Sequence, residues 1–257
     1  MSGGALVLTY HAVEAGPTPV CVEPALFAQH LECIVAAGLQ TVTVSALAGA
    51  LGRGDPLDGL VAITFDDGFA SVTDAAWPLL AERGLTATVF CIAGYLGRES
   101  DWPTQSRAAP RRALAGPEEL AAIAEAGVEI GSHGLTHAPL DTDDSALLER
   151  ELVESRRSLE DALGVTVRTL AWPYGVRSDS AERAAREAGY TTACATEPDR
   201  VRAHSPLYGL PRVDAHYVRR PALLRAVLSG SPYLGARRIA ARARRLVRKD
   251  YVAGGTA

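Results

Sequence analysis

Short apolar runs rich in β-branched residues alternate with amphipathic segments along most of this chain. This alternation is typical of βα units arranged around a parallel sheet. Eight runs predict strands, at 6–10, 41–44, 61–65, 86–92, 128–131, 167–172, 191–195 and 209–213. Five segments between them predict helices, at 24–37, 71–83, 116–127, 144–163 and 178–188. Seven or eight such units in about 215 residues favour an irregular (β/α) barrel, with seven strands expected, over an open sheet.

Length and composition limit the protein class. With 257 residues and 47% hydrophobic residues, the chain can form one large core or at most two small domains. No run of 18 apolar residues is present, so no membrane-spanning helix is predicted. The start of the chain lacks a basic region followed by a long apolar one, and the four cysteines are scattered, which predicts reduced thiols and a cytoplasmic location.

Charge is distributed unevenly along the chain. The segment 215–249 contains ten basic residues and no acidic one, although the whole chain carries a net charge of −4. We therefore predict a barrel domain at 1–215 and a basic helical C-terminal appendage at 216–257. A basic amphipathic helix can contact an anionic membrane, here the inner membrane surface, or simply pack on the acidic body. Nucleic-acid binding is disfavoured, because the segment has no interleaved aromatics or known module.

Two groups of potential metal ligands follow predicted strands. Asp66 and Asp67 come directly after the strand 61–65, where adjacent carboxylates require a compensating charge such as a cation. His133 and His137 follow the strand 128–131, and imidazoles four residues apart can bind one metal ion. The alternatives are an Asp-Asp-Gly turn or helix cap and two solvent-exposed loop histidines. Because a barrel brings the C-terminal ends of its strands together, the two groups jointly indicate a metal site.

Two further strand ends carry weaker signals. The Trp-Pro-Tyr-Gly segment 172–175 predicts a tight turn that can direct a backbone N–H at a developing oxyanion, although such a segment is often only a turn. His11 follows the first strand, where a single histidine is more often structural than catalytic. The remaining histidines are interpreted as structural or exposed: His30, His204 and His216.

The segments 64–68, 132–137 and 172–175, in this order and spacing, resemble three motifs of the polysaccharide deacetylase family, carbohydrate esterase family 4. The resemblance covers roughly residues 5–215. It implies an irregular (β/α) barrel that removes acetyl groups from N-acetylated sugars. The opening segment 8–13 resembles a branch of the family that includes deacetylases of poly-N-acetylglucosamine.

Residue roles follow from the resemblance. Asp67, His133 and His137 would bind a divalent metal, with Zn²⁺ expected first and Co²⁺, Ni²⁺, Fe²⁺ or Mn²⁺ as alternatives. Asp66 would be the general base. The backbone N–H of Tyr174 would stabilise the oxyanion.

Two departures from the family pattern are visible. Many members have an arginine that orients the base where this chain has Ala171; Arg212 is the candidate substitute, with a surface arginine as the alternative. The usual late Leu-x-His motif, which supplies the general acid, does not occur after Asp214. The N-terminal branch implies that His11 protonates the leaving amine. Our own hypothesis is that Asp214 holds or tunes the His11 imidazole.

The expected function is metal-dependent N-deacetylation of an N-acetylhexosamine in a saccharide or glycoconjugate. An alternative on the same barrel is hydrolysis of a non-sugar amide, such as a cyclic amide or ureide. A non-catalytic glycan-binding protein is disfavoured, because the acidic and histidine residues of the site are all present. An adaptor acting through its arginine-rich tail is the remaining class.

Overall fold

The computed structural model describes residues 3–105 and 109–236. Its strands pair in parallel in the order β7-β6-β5-β4-β3-β1-β8, and β2 pairs with β3 outside this path. The strands are β1 Leu6–Tyr10, β2 Gln40–Thr41, β3 Leu60–Phe65, β4 Thr88–Cys91, β5 Glu129–Ser132, β6 Thr169–Ala171, β7 Thr192–Cys194 and β8 Val213–Asp214.

One late segment joins the two ends of this strand path. Leu210 donates its N–H to Ala193 O and accepts from Ala195 N–H, both at 2.9 Å, on the β7 side. Three residues later, Val213 pairs with Leu8 of β1. The parallel sheet therefore curls into an irregular barrel with seven strands on its main path, and the predicted fold class is confirmed.

Helices occupy most of the connections between strands. They are α1 Pro24–Ala36, α2 Val44–Arg53, α3 Trp77–Ala81, α4 Pro117–Glu125, α5 Ser145–Leu148, α6 Ser155–Leu163, α7 Asp179–Glu187 and α8 Pro221–Leu228. Two π-helical segments, Val72–Ala76 and Glu149–Glu154, lead into α3 and α6. Capping explains several boundaries: the side chains of Thr43, Asp144 and Ser178 accept N–H bonds at the starts of α2, α5 and α7.

Some predicted boundaries were wrong. The strand expected at 41–44 ends at Thr41, because Thr43 caps a helix that begins at Val44. Helix α2 itself was not predicted: it contains Gly49 and Gly52, which disfavour a helix, but its buried face packs into the core. The strand expected at 209–213 starts at Val213, since a 3₁₀ turn occupies Leu207–Gly209.

Two clusters of buried apolar side chains form the core. The larger cluster lies mainly between strands and helices and includes Phe27, Phe65 and Leu159. The smaller one takes Val7 and Phe90 from the strands, together with residues of α2. Because both faces of parallel strands are buried, the strand sequences are nearly continuous apolar runs. All four cysteines are buried free thiols.

The described part of the appendage packs against the barrel. Helix α8 contributes Leu224 and Val227 to the larger core cluster. The carbonyl of Arg219 accepts a hydrogen bond from Nε2 of His30 on α1 at 2.9 Å. Residues 237–257, with most of the basic run, lie outside the described residues. The domain boundary after residue 215, the helical tail and its membrane contact stay predictions.

Across residues 3–105 and 109–236, no helix combines the length and the apolar character needed to cross a membrane.

The hydrogen bonds of His30 lead to a pH-dependent stability. Its Nε2 donates to a carbonyl, so Nδ1 accepts from Tyr10 OH at 3.0 Å, and burial holds the pKa of His30 below its usual 6.5. The unfolded chain therefore binds a proton below about pH 6.5 that the folded chain does not bind, so the free energy of unfolding decreases as the pH is lowered.

We expect acidification from about pH 7.5 to about pH 5.5 to lower the free energy of unfolding of the parent by about 1 kcal/mol more than that of His30→Gln. Denaturant titrations of both proteins at the two pH values measure this difference. Glutamine can also donate to the carbonyl and accept from the tyrosine, so it is a matched replacement. An equal loss of stability in both proteins would contradict the assignment.

Candidate active site and metal centre

The predicted site residues meet at one end of the barrel. His11, Asp66 and His133 are each the first residue after a strand, namely β1, β3 and β5. All eight predicted site residues line one cavity of about 630 Å³: His11, Asp66, Asp67, His133, His137, Tyr174, Arg212 and Asp214. The structure therefore confirms that strand ends distant in sequence converge on one face of the barrel.

Three buried side chains form a potential metal centre. Asp67 Oδ1 lies 3.6 Å from His133 Nε2 and 3.5 Å from His137 Nε2. The three ligand atoms lie within 4.8 Å of one another. One ion at ~2 Å from each atom fits this spacing, and two imidazoles with one carboxylate are a donor set typical of catalytic metal sites.

Hydrogen bonding prepares His133 for this role. Its Nδ1 lies 2.7 Å from the carbonyl of Ala171. A carbonyl only accepts, so Nδ1 carries the proton and Nε2 presents a lone pair to Asp67 and the cavity. Ala171, at the position where the family often has an arginine, thus orients a histidine through its backbone.

Burial also shapes the charge states of the other two residues. It lowers the pKa of His137 to about 2, with the neighbouring His133 contributing, so His137 is a neutral imidazole. Burial raises the pKa of the Asp67 carboxyl, against the opposing effects of His11 and His133. A bound cation would compensate the charge of Asp67 and requires neutral histidines, so both effects are compatible with metal binding.

The backbone is unusual at the same place. Among the described residues, three that are not glycine have a positive φ: Asp67 at 69°, His137 at 58° and Tyr174 at 58°. Such conformations cost of order 1–3 kcal/mol each and are often found at functional sites. All three side chains line the cavity. The local backbone is therefore bent where side chains must converge.

Asp66 forms a buried ion pair with Arg212. The guanidinium atoms Nη1 and Nη2 lie 2.6 Å and 2.8 Å from the two carboxylate oxygens, and Nε donates to Ala195 O at 2.9 Å. Burial alone would raise the pKa of Asp66, but Arg212 outweighs it and holds this pKa well below its usual range. Arg212 is only 2% exposed, so the surface alternative is wrong.

Tyr174 lies in the turn Pro173–Gly175 at the cavity, where its hydroxyl contacts the loop that contains Trp102 and Thr104. The sequence predicted no connection between this loop and Tyr174. Tyr174 OH donates to Thr104 Oγ1 at 2.7 Å, and Thr104 Oγ1 donates to His137 O at 3.1 Å. The ring of Trp102 packs on His137 with centroids 5.0 Å apart. The contacts that individual residues of this loop make carry no sequence signal.

His11, the proposed acid, and Asp214, its proposed partner, both line the cavity without a direct contact among the described residues. His11 is half-buried at the cavity, and Asp214 pairs with Thr9 in the sheet. Among the described residues, the Asp214 carboxylate accepts from His216 N–H at 2.8 Å and not from His11. The expectation that Asp214 holds this imidazole therefore remains a prediction without a direct contact. His204 and His216 are exposed and His30 is buried, as expected for residues outside the site.

Two solved structures share the barrel. IcaB from Ammonifex degensii superposes with a TM-score of 0.71 at 23% identity, covering 88% of this chain and 98% of that one. The deacetylase PplD of Streptococcus pyogenes, solved in complex with acetate, gives 0.71 at 22% identity, covering 82% and 92%. At these identities the likeness concerns the fold.

Sequence comparisons give the family. YxkH of Bacillus subtilis (strain 168), named as a polysaccharide deacetylase, is 25% identical over 80% of this chain and 70% of its own length. A chitooligosaccharide deacetylase of Sinorhizobium fredii (strain NBRC 101917 / NGR234) is 29% identical over 50% of this chain, which spans about half (53%) of that relative. Residues 53–193 match the family model for polysaccharide deacetylases. This chain belongs to the polysaccharide deacetylase family.

Proposed function

We propose that this protein is a metal-dependent N-deacetylase that hydrolyses the acetamide of an N-acetylhexosamine in a saccharide or glycoconjugate. The observation that carries the proposal is a buried cluster of three potential metal ligands beside a charged carboxylate. Asp66 Oδ2 lies 4.0 Å from His133 Nε2, so base and metal ligands face the same small space. Family membership supplies the substrate class.

Asp67, His133 and His137 would hold the divalent ion, with Zn²⁺ first and Co²⁺, Ni²⁺, Fe²⁺ or Mn²⁺ as alternatives. When bound, the ion would polarise the acyl oxygen and acidify the attacking water. Two of these three residues, Asp67 and His137, have a positive φ.

Asp66 would take the proton from the attacking water. The two hydrogen bonds from Arg212 keep its carboxylate ionised and fix its plane. A carboxylate with a low pKa is a weak base. It can deprotonate the attacking water because the bound ion would lower the pKa of that water. The Tyr174 backbone N–H would stabilise the oxyanion. His11 would protonate the leaving amine, with Asp214 nearby on the adjacent strand.

The rim of the cavity favours a sugar over a small cyclic amide. Tyr174 and Tyr217 both line the cavity and are 48% and 40% exposed. Exposed tyrosines combine a flat apolar face with a polar hydroxyl, which suits sugar rings with their apolar faces and hydroxyl edges.

Hydrolysis of a panel of substrates tests the proposal; it is measured as acetate release for the N-acetylated sugars and as formation of the hydrolysed product for the cyclic amides and ureides. The panel contains N-acetylated monosaccharides, nucleotide sugars, chitooligosaccharides and poly-N-acetylglucosamine, together with cyclic amides and ureides. We expect release from a sugar, a fall to background after chelation, and recovery with zinc or cobalt.

His137→Ala is the matched variant for metal removal, because it deletes one ligand and leaves Asp66 in place. Sugar deacetylation that persists at full rate in metal-free protein would refute the metal requirement. Hydrolysis of cyclic amides with no release from any sugar would establish the non-sugar alternative.

A further inference from the structure

The loop 133–137 connects two proposed metal ligands, and the side chains of Thr104 and Glu151 both hydrogen-bond to its backbone. Glu151 Oε2 accepts the N–H groups of Leu135 and Thr136, each at 2.9 Å. Its other oxygen, Oε1, lies 2.5 Å from Thr136 Oγ1. Three donors in two successive residues thus converge on a single carboxylate.

Glu151 is built into the interior for this contact. Its side chain is fully buried, and it lies on the π-helical segment Glu149–Glu154, a distortion frequent at functional sites. The Arg150 guanidinium is half-exposed, and its Nη2 lies 3.9 Å from Glu151 Oε1. A buried carboxylate is costly unless it is hydrogen-bonded, so the loop donors and Glu151 stabilise one another.

The loop needs such a support. Gly134 has a φ of 80° and His137 a φ of 58°, so the loop leaves the regular backbone regions at both places. A Cβ at Gly134 would lie 3.0 Å from Glu151 Oε2, which explains a glycine at this close approach. Without Glu151, the N–H groups of Leu135 and Thr136 would lose their acceptor, just before His137 in the chain.

We propose that Glu151 is the positioning residue of the metal centre: by clamping the backbone at Leu135 and Thr136, it fixes His137 in the ligand geometry and sets the metal affinity. This inference rests on the proposed function, because it assumes that the centre binds a divalent ion. Glu151 touches neither the ion nor the substrate. Outer groups that orient ligands typically contribute 10–100-fold to metal affinity.

The test is the zinc dissociation constant of the whole chain, measured by competition with a chromogenic chelator. We expect Glu151→Ala to weaken zinc binding by roughly 10–100-fold. In Glu151→Gln, the amide oxygen can accept both N–H groups and the amide nitrogen can donate to Thr136 Oγ1, so affinity should stay within about threefold. Glu154→Gln, an exposed position on the same segment, is the control and should leave the affinity unchanged.

A purely structural role gives a different pattern. It would lower the melting temperature of metal-free Glu151→Ala and leave the zinc affinity of the folded protein at the parental value. That result would overturn the inference.

If Glu151→Ala does not fold, Thr136→Val and Glu151→Asp decide. The first removes one of the three donors, and the second shortens the carboxylate by one methylene. Weaker zinc binding in either folded variant supports the inference, and parental binding in both refutes it. A parent that binds neither zinc nor cobalt would instead refute the metal centre itself, so the two failures are distinguishable.

Discussion

Asp66→Asn is expected to lower kcat for acetate release by on the order of 10²–10⁴-fold, the range for loss of a general base. The amide has nearly the shape of the carboxylate but cannot take a proton from water. The proposed metal ligands are unchanged, so zinc content should stay parental. Single-turnover acetate release by metal-saturated protein, together with metal analysis of the same sample, measures both quantities.

His11→Ala provides the comparison for this result. If His11 is the acid, its loss should slow release of the amine and also leave zinc content unchanged. If Asp66→Asn keeps more than about a tenth of the parental rate at full metal occupancy, Asp66 is not the general base. If His11→Ala and the parent release acetate at the same rate, His11 is not the general acid.

Arg212→Met is expected to lower the free energy of unfolding by about 3–5 kcal/mol, because it leaves a buried carboxylate without its partner. Arg212 and Asp66 are 2% and 4% exposed, so water cannot take over the two hydrogen bonds. The same change should reduce activity, since the plane of the base is no longer fixed. Denaturant titration of the metal-free proteins measures the stability effect separately from metal binding.

The double variant Arg212→Met with Asp66→Asn is the control for Arg212→Met. It removes the unpaired charge, and we expect it to be more stable than Arg212→Met alone. A single variant within about 1 kcal/mol of the parent would show that the buried pair contributes little to the fold.

The sequence predicted where the candidate site residues lie in the fold better than it predicted the helices. Strand β1 was predicted at its observed bounds, because five consecutive apolar or β-branched residues are buried there on both faces. Asp66 and His133 could be placed because each directly follows such a strand. In contrast, α2 was missed, since Gly49 and Gly52 disfavour a helix that tertiary packing nevertheless stabilises.

Contacts between distant segments were the part that the sequence could not supply. Arg212 was a candidate only through the family resemblance, and its contact with a carboxylate 146 residues earlier depends on how the barrel closes. Glu151 and Thr104 carried no motif. Their roles follow from a π-helical segment and from a loop path, which residue propensities do not specify.

The closure of the barrel by the segment around Leu210 also imposes an order on biosynthesis. The ribosome delivers Asp67, His133 and His137 well before the residues that complete the ring. Arg212 arrives with that last segment, which hydrogen-bonds to β7 on one side and pairs with β1 on the other. A nascent chain thus holds its candidate metal ligands early, whereas the carboxylate of Asp66 gains its guanidinium partner only when synthesis has passed residue 212.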